Sequence, residues 1–188
     1  MKKIVLASAS PRRIELLGKV TSSEFDVVPC KLSEPHPNLP PKQFVKFLAE
    51  FKAKGVFDTL DTNEDFLTIG SDTIVVKSRK IIGKPKDRQD AIDILKKLSG
   101  RKHRVYTGVC LMSKDYKKVF YVCSIVKFFK LTDNQIEQYV DTGKPMDKAG
   151  AYGIQDSGFV KKVIGSHDCV VGLPTERLKK ELTIALNK

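Results

Sequence analysis

The sequence predicts an α/β protein with a mixed central β-sheet flanked by helices. Three observations carry that prediction. Short runs rich in Ile, Val, Leu and Thr alternate with amphipathic stretches of helical period. Two long β-rich segments, residues 104–112 and 119–131, follow one another across a short polar connection and read as an antiparallel hairpin. The remaining strands are separated by helices, the pattern of parallel crossovers, so both kinds of pairing share one sheet.

Residues 3–8 are an apolar run ending in small polar residues, a buried strand. Ser10 and Pro11 open a helix, because Ser is a good N-cap and Pro suits a first position whose N–H has no partner. Ile14, Leu16 and Leu17 form its apolar face, and Gly18 ends it. Residues 25–29 read as a second strand. Residues 32–41 carry four prolines and read as a loop. Phe44, Val45, Phe47, Leu48 and Phe51 recur at helical spacing, which predicts a helix over 42–56. Residues 66–77 are a strand, Ser78 and Arg79 a turn, and residues 80–82 pair back. Residues 87–98 form an amphipathic helix on Ala91, Ile92, Ile94, Leu95 and Leu98, with Gly100 just past its end. The hairpin of 104–112 and 119–131 turns through residues 113–118. Thr132 with Gln135 is a capping box opening a helix to Val140. Residues 143–154 are glycine-rich and irregular, 159–164 a strand, and 175–186 a closing helix. No repeat, low-complexity tract or linker interrupts the pattern, so residues 1–188 are expected to form one domain.

A chain of 188 residues buries roughly 70 % of its unfolded surface without staples. Hydrophobic residues at 41 % and charged residues at 30 % exclude disordered and collagen-like chains. No apolar stretch reaches membrane-spanning length, so no membrane partner is expected. The N-terminal Lys2-Lys3-Ile4-Val5-Leu6 has the look of a signal-peptide start, but Ser8, Ser10, Pro11, Arg12 and Arg13 break it. Cys30, Cys110, Cys123 and Cys169 are widely spaced and the three histidines show no metal spacing, which points to reduced thiols in the cytoplasm. The net charge of +12 suits polyanions: nucleic acid, acidic membranes or phosphorylated small molecules.

The first chemical candidate is the stretch from Leu6 to Arg13, where a strand feeds a small-residue loop and a helix N-terminus with two arginines. Free N–H groups and the helix dipole attract anions there, and guanidinium groups fork onto phosphate oxygens. Ser8 and Ser10 allow close backbone approach; the plain alternative is a cap with solvated arginines. The second is Gly70-Ser71-Asp72-Thr73, an acid inside an apolar strand. A carboxylate buried unpaired is costly, so Asp72 requires a cation, a metal or an exposed bend, or else it caps a turn. Gly83-Lys84-Pro85 holds a lysine on a constrained loop, facing phosphate or simply turning. Residues 143–155 suggest a backbone wrapped around a ligand or a surface loop. Lys52, on a helix face, and Glu34, in the proline-rich loop, read by themselves as solvated side chains.

Together these segments resemble the Maf family of nucleoside triphosphate pyrophosphatases. Besides the blocks just named, the matching stretches are Leu48-Ala49-Glu50-Phe51-Lys52-Ala53, LSGRKHRVYTG at 98–108, residues 139–155 and residues 170–174, in the family's order and over nearly the whole chain. The resemblance implies a two-lobed Maf/ITPase-like fold with a cleft between the lobes. It implies hydrolysis of a nucleoside triphosphate to monophosphate and pyrophosphate, as housekeeping of the nucleotide pool. Arg12, Thr73 and Gln155 match the specificity positions of the dTTP/UTP-cleaving subgroup. Asp72 maps onto the catalytic acid, the general base. Asp72 and Glu34 would share Mg²⁺ or Mn²⁺, since hard cations prefer carboxylate oxygen. Ser8, Arg12, Arg13, Lys52 and Lys84 would hold the triphosphate. Family members are often dimers, so a homodimer is expected and a nucleic-acid partner is not. The chain departs from the family pattern at Ser33, where an acid is frequent, at Cys169, where Asn is usual, and at Lys144, where Glu is common.

Two other readings compete. One is a non-catalytic nucleotide- or nucleic-acid-binding regulator of cell division; against it, the aromatics of residues 44–51 follow core spacing instead of interleaving with basic residues. The other is a phosphatase or kinase; the chain has no Gly-x-x-x-x-Gly-Lys-Ser/Thr loop.

Overall fold

The computed structural model describes residues 2–61 and 63–188. Among the described residues seven strands form one sheet, β1 (Lys3–Leu6), β2 (Phe25–Val27), β3 (Phe66–Lys77), β4 (Lys80–Ile82), β5 (Lys102–Met112), β6 (Lys117–Phe128) and β7 (Val160–Ile164). Their order is β2-β1-β3-β5-β6-β7, with β4 pairing onto β3. β1 is parallel to both β2 and β3, whereas β4 and β7 pair antiparallel with β3 and β6. The mixed α/β class predicted from the sequence is therefore the class observed. The helices are α1 (Pro11–Gly18), α2 (Pro41–Phe57), α3 (Arg88–Leu98), α4 (Asp133–Asp141), α5 (His167–Val171) and α6 (Thr175–Leu186).

Most elements fall where local chemistry puts them. Thr132 and Gln135 form the reciprocal capping box that opens α4. The Asp87 carboxylate accepts from the Asp90 N–H to start α3, and Gly100 takes the left-handed conformation after it. Three details differ from expectation. Ser10 occupies the N-cap position of α1 with extended backbone, but its side chain makes no capping bond; the Ser8 hydroxyl accepts the Ser10 N–H instead. The hairpin loop is tighter than residues 113–118, because Ser113 N–H donates to the Tyr116 carbonyl and β6 resumes at Lys117. A short helix, α5, stands where the sequence pattern marks none, and the irregular segment after α4 contains 3₁₀ turns at Lys144–Asp147 and Ala149–Ala151.

The chain divides into two compact units. The first comprises Met1–Asp72, Thr107–Val122 and Gly172–Lys188; the second comprises Thr73–Tyr106 and Cys123–Val171. In the first unit, α2 lies against β3 and β5 at two glycines. A methyl group on Gly70 would meet the Ala49 carbonyl oxygen and lie 2.6 Å from the Ala53 nitrogen. One on Gly108 would meet the Val45 carbonyl oxygen and lie 2.7 Å from its carbon. Only glycine admits this backbone-to-backbone approach. Ala49 and Ala53 then pack with Cys110 and Met112.

The second unit has its own core, in which Leu95, Leu98, Val105, Val126, Phe128, Ile136 and Phe159 are buried together. His103, only 3 % exposed, sits within it. Its Nε2 is 2.8 Å from the Tyr152 hydroxyl, its ring meets Phe128 edge-on, and its Nδ1 has no hydrogen-bond partner among the described residues. Burial, reinforced by the Lys77 charge, lowers its pKa from 6.5 to about 4. The unfolded chain therefore takes up a proton near pH 6.5 that the folded chain refuses until about pH 4. The stability contributed by the neutral ring is complete above pH 6.5 and drains away as pH falls towards 4, by up to about 3 kcal/mol. Urea unfolding between pH 7.5 and 4.5 is expected to show this loss, and a His103→Asn variant to flatten it. An unchanged slope in the variant would assign the loss to other groups.

Candidate active site

β1 ends at Leu6 and delivers Ala7–Ser10 into the first turn of α1. Ser8 is buried, and its hydroxyl accepts from the Ser10 N–H and from Arg13 Nη1, each at 3.3 Å. Arg13 Nε donates to the Gly172 carbonyl at 3.0 Å. The guanidinium is thus fixed from two sides, with Arg12 next to it. Burial pulls Arg13 below the usual arginine pKa, opposed by the Asp72 and Glu34 carboxylates and assisted by Arg12. An arginine remains cationic under such a pull, so the loop presents a partly desolvated, oriented positive charge beside two acids.

Asp72 is two residues beyond Gly70 on β3, and side chains two apart share a face of a strand. That face carries α2. Lys52 lies on α2 between Ala49 and Ala53, the residues that touch Gly70, so its side chain reaches Asp72. The Lys52 ammonium is 2.5 Å from Asp72 Oδ1 and 2.9 Å from Glu34 Oε1. The Lys52 and Asp72 side chains are 14 % and 11 % exposed, and Glu34 is 42 % exposed. The acid buried in an apolar strand has its cation, as the sequence demanded, and one ammonium bridges two carboxylates from distant segments.

Ser8, Arg12, Arg13, Glu34, Lys52 and Asp72 all belong to the first unit, and contacts or direct electrostatic coupling link them. Thr73, Lys84 and Gln155 belong to the second. Thr73 follows Asp72 on β3 and is half-buried. Lys84 is exposed on the loop after β4, whose Gly83 carbonyl accepts from the Gly150 N–H at 2.9 Å. Gln155 is exposed in the turn after Tyr152. The segment 143–155 wraps around its own Lys148, whose ammonium donates to the Lys144 carbonyl and to Asp147.

Two participants escaped the sequence reading. The buried Ser71 hydroxyl shares its proton between the carbonyls of Gly108, at 3.1 Å, and Gly172, at 3.0 Å. The Gly172 carbonyl that holds Arg13 is therefore itself held from β3. Nothing in a glycine's identity announces that its carbonyl will be used this way.

Among the described residues, no group of three or more His, Cys, Asp and Glu is arranged to hold a metal ion. Asp72 and Glu34 nevertheless converge on one cation, the Lys52 ammonium. Two carboxylates suit Mg²⁺ or Mn²⁺, which take one or two carboxylates and complete their shell with water and substrate phosphate oxygens. No helix among the described residues is long and apolar enough to cross a membrane.

A family model described as Maf-like protein matches residues 3–185. The chain belongs to the Maf family. Maf relatives of high similarity include a dTTP/UTP pyrophosphatase of Clostridium botulinum (strain Kyoto / Type A2), 44 % identical over 190 residues, covering 97 % of this chain and 96 % of the relative. A protein of the same name from Bacillus cytotoxicus is 45 % identical over 185 residues, covering 97 % and 95 %. One from Bacillus pumilus is 43 % identical over 185 residues, covering 97 % and 96 %. The Maf resemblance drawn from the motifs is thus a family relationship along nearly the full chain.

Proposed function

We propose that this Maf protein is a nucleoside triphosphate pyrophosphatase that hydrolyses dTTP and UTP to the monophosphate and pyrophosphate. The observation that carries the reading is the Asp72 carboxylate, sunk in an apolar strand and gathered with Lys52, Glu34 and Arg13. The names of the Clostridium and Bacillus relatives support the substrate class.

In this reading the Asp72 carboxylate takes a proton from water while the water oxygen bonds to the α-phosphorus. The bond from that phosphorus to the oxygen bridging to the β-phosphorus breaks, and pyrophosphate leaves with the electron pair. Charge on the non-bridging oxygens is offset by Arg12, Arg13, Lys52 and Lys84. The Ser8 hydroxyl keeps the Arg13 guanidinium facing the phosphates. Asp72 and Glu34 would hold a divalent cation, Mg²⁺ or Mn²⁺, which when bound neutralises charge on the triphosphate. Gln155, a side-chain donor and acceptor together, and Thr73 suit the edge of a pyrimidine ring. A wrong base leaves these groups unpaired, which is how hydrogen-bonding sites discriminate. The four cysteines, none of them in a disulfide among the described residues, fit a reducing, cytoplasmic setting.

A panel of standard and modified triphosphates, scored for monophosphate, pyrophosphate and orthophosphate, tests the reading. Pyrophosphate is expected as the product, formed faster from dTTP and UTP than from CTP or purine triphosphates. Orthophosphate as the product, or faster cleavage of CTP or GTP, overturns it.

A further inference from the structure

The turn that carries Gln155 is fastened at both ends to one hydroxyl. Tyr139, on α4, is 7 % exposed. Its oxygen accepts the Gly153 N–H at 3.0 Å and donates to Asp156 Oδ1 at 2.9 Å. Both hydrogen-bonding capacities of the phenol are used, one on each side of Ile154 and Gln155. The Ser157 N–H closes the same turn onto the Gly153 carbonyl at 3.1 Å. Asp156 lies so close to Gly153 that a methyl group there would meet its carboxylate, with Cγ at 3.0 Å. Upstream, the ring of Tyr152 is locked into the core by Phe128 and by the 2.8 Å contact to His103. The buried Lys148 ammonium lies 3.9 Å from the other oxygen of Asp156. Gly153 and Asp156, on either side of Ile154 and Gln155, are thus tied down, while Gln155 itself is exposed.

We propose that Tyr139 is a positioning residue for base selection, its hydroxyl fixing the turn that presents Gln155. The inference rests on the reading of Gln155 as the group that meets the base. An amide discriminates uracil from cytosine only if its oxygen and nitrogen are offered in a fixed orientation, because the two rings exchange a carbonyl for an amino group. A loop free to rotate would let the amide turn over and satisfy either. Burial holds the Tyr139 phenol above its ordinary pKa, so it stays a neutral donor to Asp156 throughout the working range of such an enzyme.

The test compares kcat/KM for UTP and CTP in the full-length protein. Tyr139→Phe removes only the hydroxyl. It is expected to lower the UTP/CTP ratio about tenfold, the scale of one buried hydrogen bond, while kcat for saturating UTP changes less than about threefold. Gln155→Ala is expected to collapse the ratio, and adding Tyr139→Phe to it to change nothing more, since both act through one contact. A ratio untouched by Gln155→Ala refutes base reading at this position and this inference with it. A ratio that collapses in Gln155→Ala but survives in Tyr139→Phe overturns the role of Tyr139 alone. A further drop in the double variant also overturns it, because the hydroxyl would then act elsewhere. Should Tyr139→Phe fold poorly, Asp156→Asn, which still accepts from the phenol, is expected to keep the ratio within about threefold where Asp156→Ala loses it. Equal effects of those two variants count against the proposal.

Discussion

Asp72→Asn is expected to lower kcat for dTTP and UTP by about a thousandfold, with a smaller change in KM. A general base within reach of its proton contributes 10²–10⁴ in rate, and the amide keeps the shape of the carboxylate while losing its basicity. The surroundings make this a clean replacement. Lys52 keeps Glu34 as a partner at 2.9 Å, and the remaining oxygen at position 72 still accepts from the ammonium, so no buried charge is stranded. Thermal melting is therefore expected to move by only a few degrees, and a folded, inactive protein separates chemistry from collapse. Single-turnover rates of monophosphate formation give the measurement. A rate within threefold of the parent would move the base to another residue.

Lys52→Met carries the complementary signature. It removes the ammonium that bridges Asp72 and Glu34, so stability should fall as well as rate.

What could be read from the chain divides along sequence separation. The capping box of α4 was legible because Thr132 and Gln135 lie within one helical turn, where spacing alone dictates who meets whom. The turn at Ser78 and Arg79 was legible from the two β-rich runs around it, although both residues adopt positive φ without being glycine. The need of Asp72 for a cation was also legible, from the cost of a carboxylate among Ile and Val. Which cation answers was not: Lys52 is 20 positions away on a helix, and the helix finds its place through packing. The tie from Arg13 to Gly172 spans 159 positions and ends on a backbone carbonyl, which every residue possesses. The five-residue α5, bracketed by Gly165 and Gly172 at positive φ, is too short for periodicity to mark. Family resemblance supplied Lys52 and Glu34 as site residues where their own surroundings in the sequence offered nothing.

The role of Gly70 illustrates the same limit and gives the second large effect. A glycine inside a strand permits a bend or a close ligand; here the close neighbour is α2 itself. Gly70→Ala is expected to cost about 3 kcal/mol and to lower kcat/KM at least tenfold. Two terms oppose each other. Replacing a strand glycine by alanine restricts the unfolded chain and normally stabilises by roughly 0.4–1 kcal/mol. Here the new methyl would meet the Ala49 carbonyl oxygen, with the Ala53 nitrogen at 2.6 Å and its Cβ at 2.8 Å. These are helix-backbone atoms and a methyl with no rotamer to escape into, so α2 must retreat from β3, and overpacking wins. The retreat carries Lys52 away from Asp72, and a displacement near 1 Å at the proposed phosphate clamp is enough to cost rate. Gly18→Ala is the control of opposite sign: among the described residues no atom beyond its chain neighbours and its own helix lies within 4 Å of the added methyl, it sits at the end of α1 with no positive φ, and it should stabilise slightly. Urea unfolding of both variants decides the matter. If Gly70→Ala is as stable as the parent, α2 is not seated on β3 by backbone contact, and the link from that glycine to the Lys52–Asp72 pair is lost.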